Sequence, residues 1–186
     1  MSRAGYVLVG GRSSRMGRDK ALLPYGGGVL VQTVARAVEL AAGSATLVGD
    51  PVPYGRLGYP VIPDAYRDEG PLGGILTALR HTSADWNLVA ACDMPRLTAR
   101  FLRRLLDRAE RSGVDVVIPA GPSGRPEPLC AVYHRRAQPA LEAAFRRGVR
   151  QAAAVLQAAP STLLKMPEVS IFQNVNTPVE WAAHER

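Results

Sequence analysis

The chain has 186 residues, 47% of them apolar, which suits one domain around one sizeable core. Its net charge of +7 comes from 21 arginines and two lysines against 16 acidic residues, and so points to anionic partners; aromatics at 6%, with no basic run interleaved among them, rank nucleic acid low. The opening "MSRAGYVLVGG" is too short an apolar run for a signal segment or a membrane span, and Cys92 and Cys130 sit in strand-like runs where reduced thiols are usual, so no membrane and no disulfide framework is expected, and a cytoplasmic location is.

The first strand reads from "GYVLV" at 5–9 and runs directly into "LVGGRSSRMGRDKALLPY" at 8–25. In an open parallel sheet, ligands bind beyond the carboxyl ends of the strands, and this loop lies there. Gly10, Gly11 and Gly17 permit positive φ and let backbone N–H groups approach a phosphate closely. Arg12, Arg15, Arg18 and Lys20 add forked and point charges. The dinucleotide pattern G-x-G-x-x-G is absent, and the P-loop pattern fails because Lys20 follows Asp19 and precedes Ala21. The alternative is a surface loop whose arginines face water.

Helical spacing follows at about 29–42, then apolar strand runs at 45–49 and 60–62. Asp64, in "VIPDAY", is either a second acidic ligand or a turn former. "GPLGGI" at 70–75 opens a helix at about 73–82, with its glycines aimed at a ligand or serving packing. "WNLVAA" at 86–91 is a strand, and "CDMP" places Asp93 at its mouth. A lone carboxylate there suits Mg²⁺, which keeps most of its waters and takes one or two carboxylates plus substrate phosphates. The other role for Asp93, capping the next helix, falls more naturally to Thr98.

That helix, at about 98–111, gathers Phe101, Leu102, Leu105, Leu106 and Ala109 on one face. Its other face carries Arg100, Arg103, Arg104, Asp107, Arg108 and Arg111, read as solvated rather than as a docking surface for an acidic partner. Strand runs at 114–119 and 129–133 flank "GPSGRPEP" closely, which makes 121–128 a loop between adjacent strands and not a linker. Helices follow at about 137–146 and 150–158, and "TPVE" at 177–180 is a capping box opening a last helix at about 178–184.

Continuous apolar strands alternating with helices indicate an α/β architecture in three layers around a mainly parallel sheet. The histidines, at 81, 134 and 184, stand outside glycine-rich or strand-end settings, and Ser13 and Ser14 have no recognisable base arrangement. Chemistry without a protein nucleophile therefore fits best. Nucleotidyl transfer to an acceptor phosphate meets that condition, because the attacking oxygen is already anionic and the barrier lies in assembling polyanions.

These residues carry a family resemblance. "LVGGRSSRMGRDKALLPYGG" resembles the L-A-G-G-x-x-x-R-M-G-x-D-K signature of molybdenum cofactor guanylyltransferases, and "GPLGGI", "CDMP", "RPEPLCAVY" and "NVNTP" are similar to that family's later motifs, in the same order across nearly the whole chain. The resemblance implies a Rossmann-like nucleotidyltransferase fold over 1–186, with about 1–95 as the nucleotide-binding half and about 96–186 as the acceptor-binding half. It implies transfer of GMP from GTP to molybdopterin, with Mg²⁺ as cofactor.

On that likeness Leu8, Val9, Gly10 and Gly11 hold the nucleotide, Lys20 contacts its phosphates, Asp64 binds nucleotide and Asp93 carries Mg²⁺. Arg15, Lys20 and Asp93 form the catalytic set. Arg125, Asn174 and Asn176 face the pterin side, the two asparagines having strand-end backbone satisfaction as their other role. Val9 departs from the usual alanine. Recipient molybdenum enzymes are further partners, and a monomer or weak oligomer is expected. The rival readings are cytidylyl transfer to molybdopterin, a sugar-phosphate nucleotidyltransferase, and a cofactor-handover module that binds nucleotide without catalysis.

Overall fold

The computed structural model describes residues 1–9, 19–166 and 170–172. In chain order, β1 (Arg3–Leu8) is followed by a ribbon of β2 (Pro24–Tyr25) and β3 (Gly28–Val29), then α1 (Leu30–Ala42), β4 (Thr46–Val48), α2 (Pro51–Tyr54), β5 (Val61–Ile62), α3 (Pro71–His81) and β6 (Trp86–Ala91). The second half adds α4 (Ala99–Glu110), β7 (Val116–Ala120), β8 (Cys130–His134), α5 (Gln138–Arg146), α6 (Val155–Ala158) and β9 (Ser161–Lys165). Seven strands form one sheet in the order β5-β4-β1-β6-β8-β7-β9. Within this sheet β8 runs antiparallel to both of its neighbours, and the remaining pairings are parallel.

Helices cover both faces. Val7 of β1 packs with α1 and α4, whereas Tyr6, the next residue, packs with α3, because successive strand side chains point to opposite faces. Every residue of β6 is buried, which accounts for the run "WNLVAA", apolar but for Asn87, in a strand with helices above and below. Thr98 caps α4, its hydroxyl accepting from the Phe101 N–H at 3.2 Å, and Phe101, Leu102, Leu105, Leu106 and Ala109 are all buried.

The outer face of α4 differs from the sequence reading in one respect. Asp107 belongs with Glu110 to a fork on Arg3 of β1, whose guanidinium lies 2.8 Å from Asp107 Oδ1 and 2.7 Å from Glu110 Oε2. The arginines at 100, 103, 104, 108 and 111 are exposed as expected.

Three described elements escaped the periodicity. β9, "STLLK", has a half-buried, half-exposed pattern at the sheet edge in place of a continuous apolar run. The β2–β3 ribbon is two residues wide and turns through Gly26 and Gly27, both at positive φ, the conformation a two-residue hairpin requires. α2 is a single turn that starts with Pro51 after its Asp50 cap. The helix expected at 150–158 is a 3₁₀ turn at Ala152–Ala154 leading into α6. The helix expected at about 178–184 lies outside the described residues.

Candidate active site

The carboxyl ends of β1, β4, β5, β6, β7 and β9 share one edge of the sheet, and the antiparallel β8 begins there. The end of β1, the Asp64 turn, the "CDMP" segment and the 121–129 loop therefore converge on that edge. His81 ends α3 and His134 ends β8 opposite Trp86, the first residue of β6, which places both at the other edge. The Cys92 thiol is fully enclosed, and burial, reinforced by the Asp93 charge, pushes it up to about 12, so it stays neutral at working pH. Cys130 is likewise buried, with its pKa raised.

Lys20 and Asp93 meet. Lys20 Nζ lies 2.6 Å from Asp93 Oδ2, joining the end of the glycine-rich segment to the mouth of β6. Asp19 sets up this approach: its Oδ1 accepts from the Ala21 N–H at 3.0 Å, capping the 3₁₀ turn Lys20–Leu22, while Ala21 is wholly buried. Asp93 Oδ1 is also buried and has no hydrogen-bond partner among the described residues. An anionic oxygen in that state is a strong ligand for a cation, and the set fits Mg²⁺, which needs few protein oxygens and draws the remainder from water and phosphate.

A second carboxylate was missed by the sequence reading. β8 begins at this edge, where the Ala91 N–H donates to the Leu129 carbonyl at 2.7 Å, and a turn closed by the Cys130 N–H on the Glu127 carbonyl at 3.0 Å leads into it, leaving the Glu127 carboxyl near enough to feel the Asp93 charge. Burial raises the Glu127 pKa; Arg125 opposes this and the Asp93 charge adds to it. The available signal was the "RPEP" loop itself, once β8 is known to run backwards. Arg125 reaches the same edge with its side chain 83% exposed and its Nε 4.0 Å from Glu127.

Asp64 follows β5 and is engaged in a turn. Its Oδ1 accepts from the Tyr66 N–H at 3.0 Å and from the Thr77 hydroxyl at 2.8 Å, so both open roles are compatible with its position: it forms the turn, and it stands at the ligand edge. The glycines of "GPLGGI" have a packing reason. A Cβ on Gly73 would come within 2.7 Å of Tyr66 Cβ, and one on Gly74 within 3.1 Å of Leu8 Cδ1. The Leu72 N–H at the start of α3 is occupied by the Arg150 carbonyl.

Leu8 and Val9 close the β1 ladder. The Leu8 carbonyl accepts from Cys92 and the Val9 N–H donates to Val48, while the Val9 carbonyl lies against Gly49, where an added Cβ would sit 2.6 Å from it. Gly10, Gly11, Arg15, Asn174 and Asn176 lie outside the described residues.

The family model described as the MobA-like NTP transferase domain matches residues 5–163. A Deinococcus radiodurans protein named probable molybdenum cofactor guanylyltransferase is 34% identical over 176 residues, covering 95% of this chain and 90% of that protein. A Trichormus variabilis protein of the same name is 36% identical over 186 residues, covering 95% and 87%. The crystal structure of molybdopterin-guanine dinucleotide biosynthesis protein A from Archaeoglobus fulgidus superposes with a TM-score of 0.82 at 29% identity, covering 98% of this chain and 96% of that one.

Proposed function

Since the chain belongs to the MobA-like NTP transferase family, we propose that its carboxyl sheet edge transfers GMP from GTP to molybdopterin, giving the guanine dinucleotide cofactor and pyrophosphate. The chain is a nucleotidyltransferase of molybdenum cofactor biosynthesis, as its relatives are named. The observation that carries the reading is the contact of Lys20 with Asp93, which puts a cation and a carboxylate with an open, buried oxygen at one edge.

In the transfer, a terminal phosphate oxygen of molybdopterin attacks the α-phosphorus of GTP. The α–β phosphoanhydride bond breaks, and its electron pair leaves on pyrophosphate. The nucleophile is already ionised, so neither of the enclosed thiols nor the histidines of the far edge is needed. Lys20 supports the charge growing on the leaving pyrophosphate, with Arg15 as its companion from the glycine-rich segment. Asp93 would hold Mg²⁺, which would supply positive charge to offset that of the phosphates.

Val9 and its flanking Leu8, Gly10 and Gly11 offer backbone groups to the nucleotide, and Asp64 approaches it from the end of β5. Arg125, exposed beside Glu127, together with Asn174 and Asn176, serves the acceptor. Residues about 1–95 thus form the nucleotide half and about 96–186 the acceptor half of one domain. We place this work in the cytoplasm; no described helix is long and apolar enough to cross a membrane. Recipient molybdenum enzymes take the product, and the chain acts as a monomer or weak oligomer.

Incubation with Mg²⁺, molybdopterin and equal GTP and CTP, read by mass spectrometry, tests this. The guanine dinucleotide is the expected product. A cytosine dinucleotide overturns the choice of base, and GTP binding without any product overturns catalysis.

A further inference from the structure

We infer that Tyr54 is a positioning residue for Lys20, acting through the carboxylate of Asp19; the inference rests on the proposed role of Lys20 at the phosphates. Asp19 is gripped from two directions. Its Oδ1 takes the Ala21 N–H, which closes the turn that Lys20 begins, and its Oδ2 takes the Tyr54 hydroxyl at 2.6 Å. Tyr54 is only 2% exposed and belongs to the core beneath α1 and α4. Burial, helped by the Asp19 charge, raises its phenol pKa, so the hydroxyl remains a donor.

The backbone at Lys20 is consequently tied to α2, beyond β4, while its side chain reaches the other way to Asp93, beyond β6. A lysine amine sits on a flexible four-carbon stem, and each bond it makes costs rotamer freedom. Fixing its Cα confines the amine to the small volume shared by Asp93 and an incoming phosphate, so less ordering remains to be done when substrate binds. A phenylalanine at 54 would fill the same core space. Among the described residues the hydroxyl donates to Asp19, so the phenylalanine removes that bond and leaves the packing.

The chain offers a direct readout, because its two lysines are Lys20 and Lys165, and Lys165 is exposed. The full chain and its Y54F and D19N variants are treated with a limiting amine-acylating reagent, and the ratio of Lys20 to Lys165 modification is read by peptide mass spectrometry. Pyrophosphate release is then measured in the same variants and in Y54F combined with Lys20→Met. The ratio is expected to rise severalfold in both variants while far-UV circular dichroism is unchanged. Loss of one charge-assisted hydrogen bond should lower kcat about tenfold, with KM for GTP moving less. In the Lys20→Met background Y54F should add nothing.

An unchanged labelling ratio in folded Y54F, or losses that add to those of Lys20→Met, overturns the inference. If Y54F does not fold, D19N keeps an oxygen for the Ala21 cap and carries the same two measurements. Wild-type protein that releases no pyrophosphate refutes the functional reading instead, and the labelling ratio then decides the positioning claim alone.

Discussion

Lys20 Nζ and Asp93 Oδ2 stand 2.6 Å apart, a cation and a carboxylate 73 positions distant in sequence and each largely shielded from water. The two are proposed to serve different parts of the substrate, Lys20 the phosphates and Asp93 the divalent ion. Until such a substrate binds, the contact leaves each charge facing an opposite one. Asp93→Asn and Lys20→Met should each cost about 10²–10³ in kcat, or about 2.7–4 kcal/mol of transition-state stabilisation. Pyrophosphate release measured beside a thermal melt checks this, with turnover falling far more than stability.

Asp64 and Thr77 separate turn formation from ligand binding. Thr77→Val removes the hydroxyl that donates to Asp64 at nearly constant volume and should lower stability by about 1–2 kcal/mol. Asp64→Ala should lower stability and GTP affinity together. Urea unfolding alongside calorimetric GTP titration distinguishes the two variants.

Gly49 gives way to the Val9 carbonyl. A Cβ there would lie 2.6 Å from the carbonyl oxygen and 2.6 Å from Val9 Cγ2, so Gly49→Ala must push β4 from β1 at the edge where the nucleotide is proposed to bind. The expected cost is about 1–3 kcal/mol, seen as a lower urea midpoint at an unchanged slope.

The Arg3 fork on Asp107 and Glu110 predicts a pH signature. Hydrogen bonding to Arg3 holds the Glu110 carboxyl below its ordinary value of 4.5, with burial opposing. An acid with a depressed folded pKa contributes stability that is present above the unfolded value and is lost as pH falls through the folded one. Arg3→Met should therefore lower stability by about 1–2 kcal/mol at pH 7, and the difference from wild type should shrink once pH falls below 4.5. Denaturation midpoints across that range check it.

The fold was legible where burial imposes a pattern. "WNLVAA" is apolar but for Asn87 because β6 is buried on both faces, and the alternation of such runs with helices was enough for a three-layer architecture around a mainly parallel sheet. β9 was not legible, since an edge strand half open to water needs no continuous apolar run. At the site, Lys20 and Asp93 could be read because each directly extends a recognisable strand or loop. Glu127 could not be read, because its relation to Asp93 depends on the reversal of β8, and direction is not written in composition. Asp19 and Tyr54 show the same limit: "DK" marks Asp19 as part of a motif, but nothing local names a partner 35 residues away.

The reversed β8 also separates two design problems. The stretch from Ala120 to Leu129 leaves and re-enters the sheet at one edge, and register is held from within it by Val116 against Tyr133 and Leu88 against Val132. Residues 122–125 are exposed, and closing a longer loop costs only slowly rising entropy. An engineer, or natural drift, can thus splice new residues into that hairpin tip and reshape that edge of the sheet, while β1 and β6 keep their strands in register and Lys20 beside Asp93.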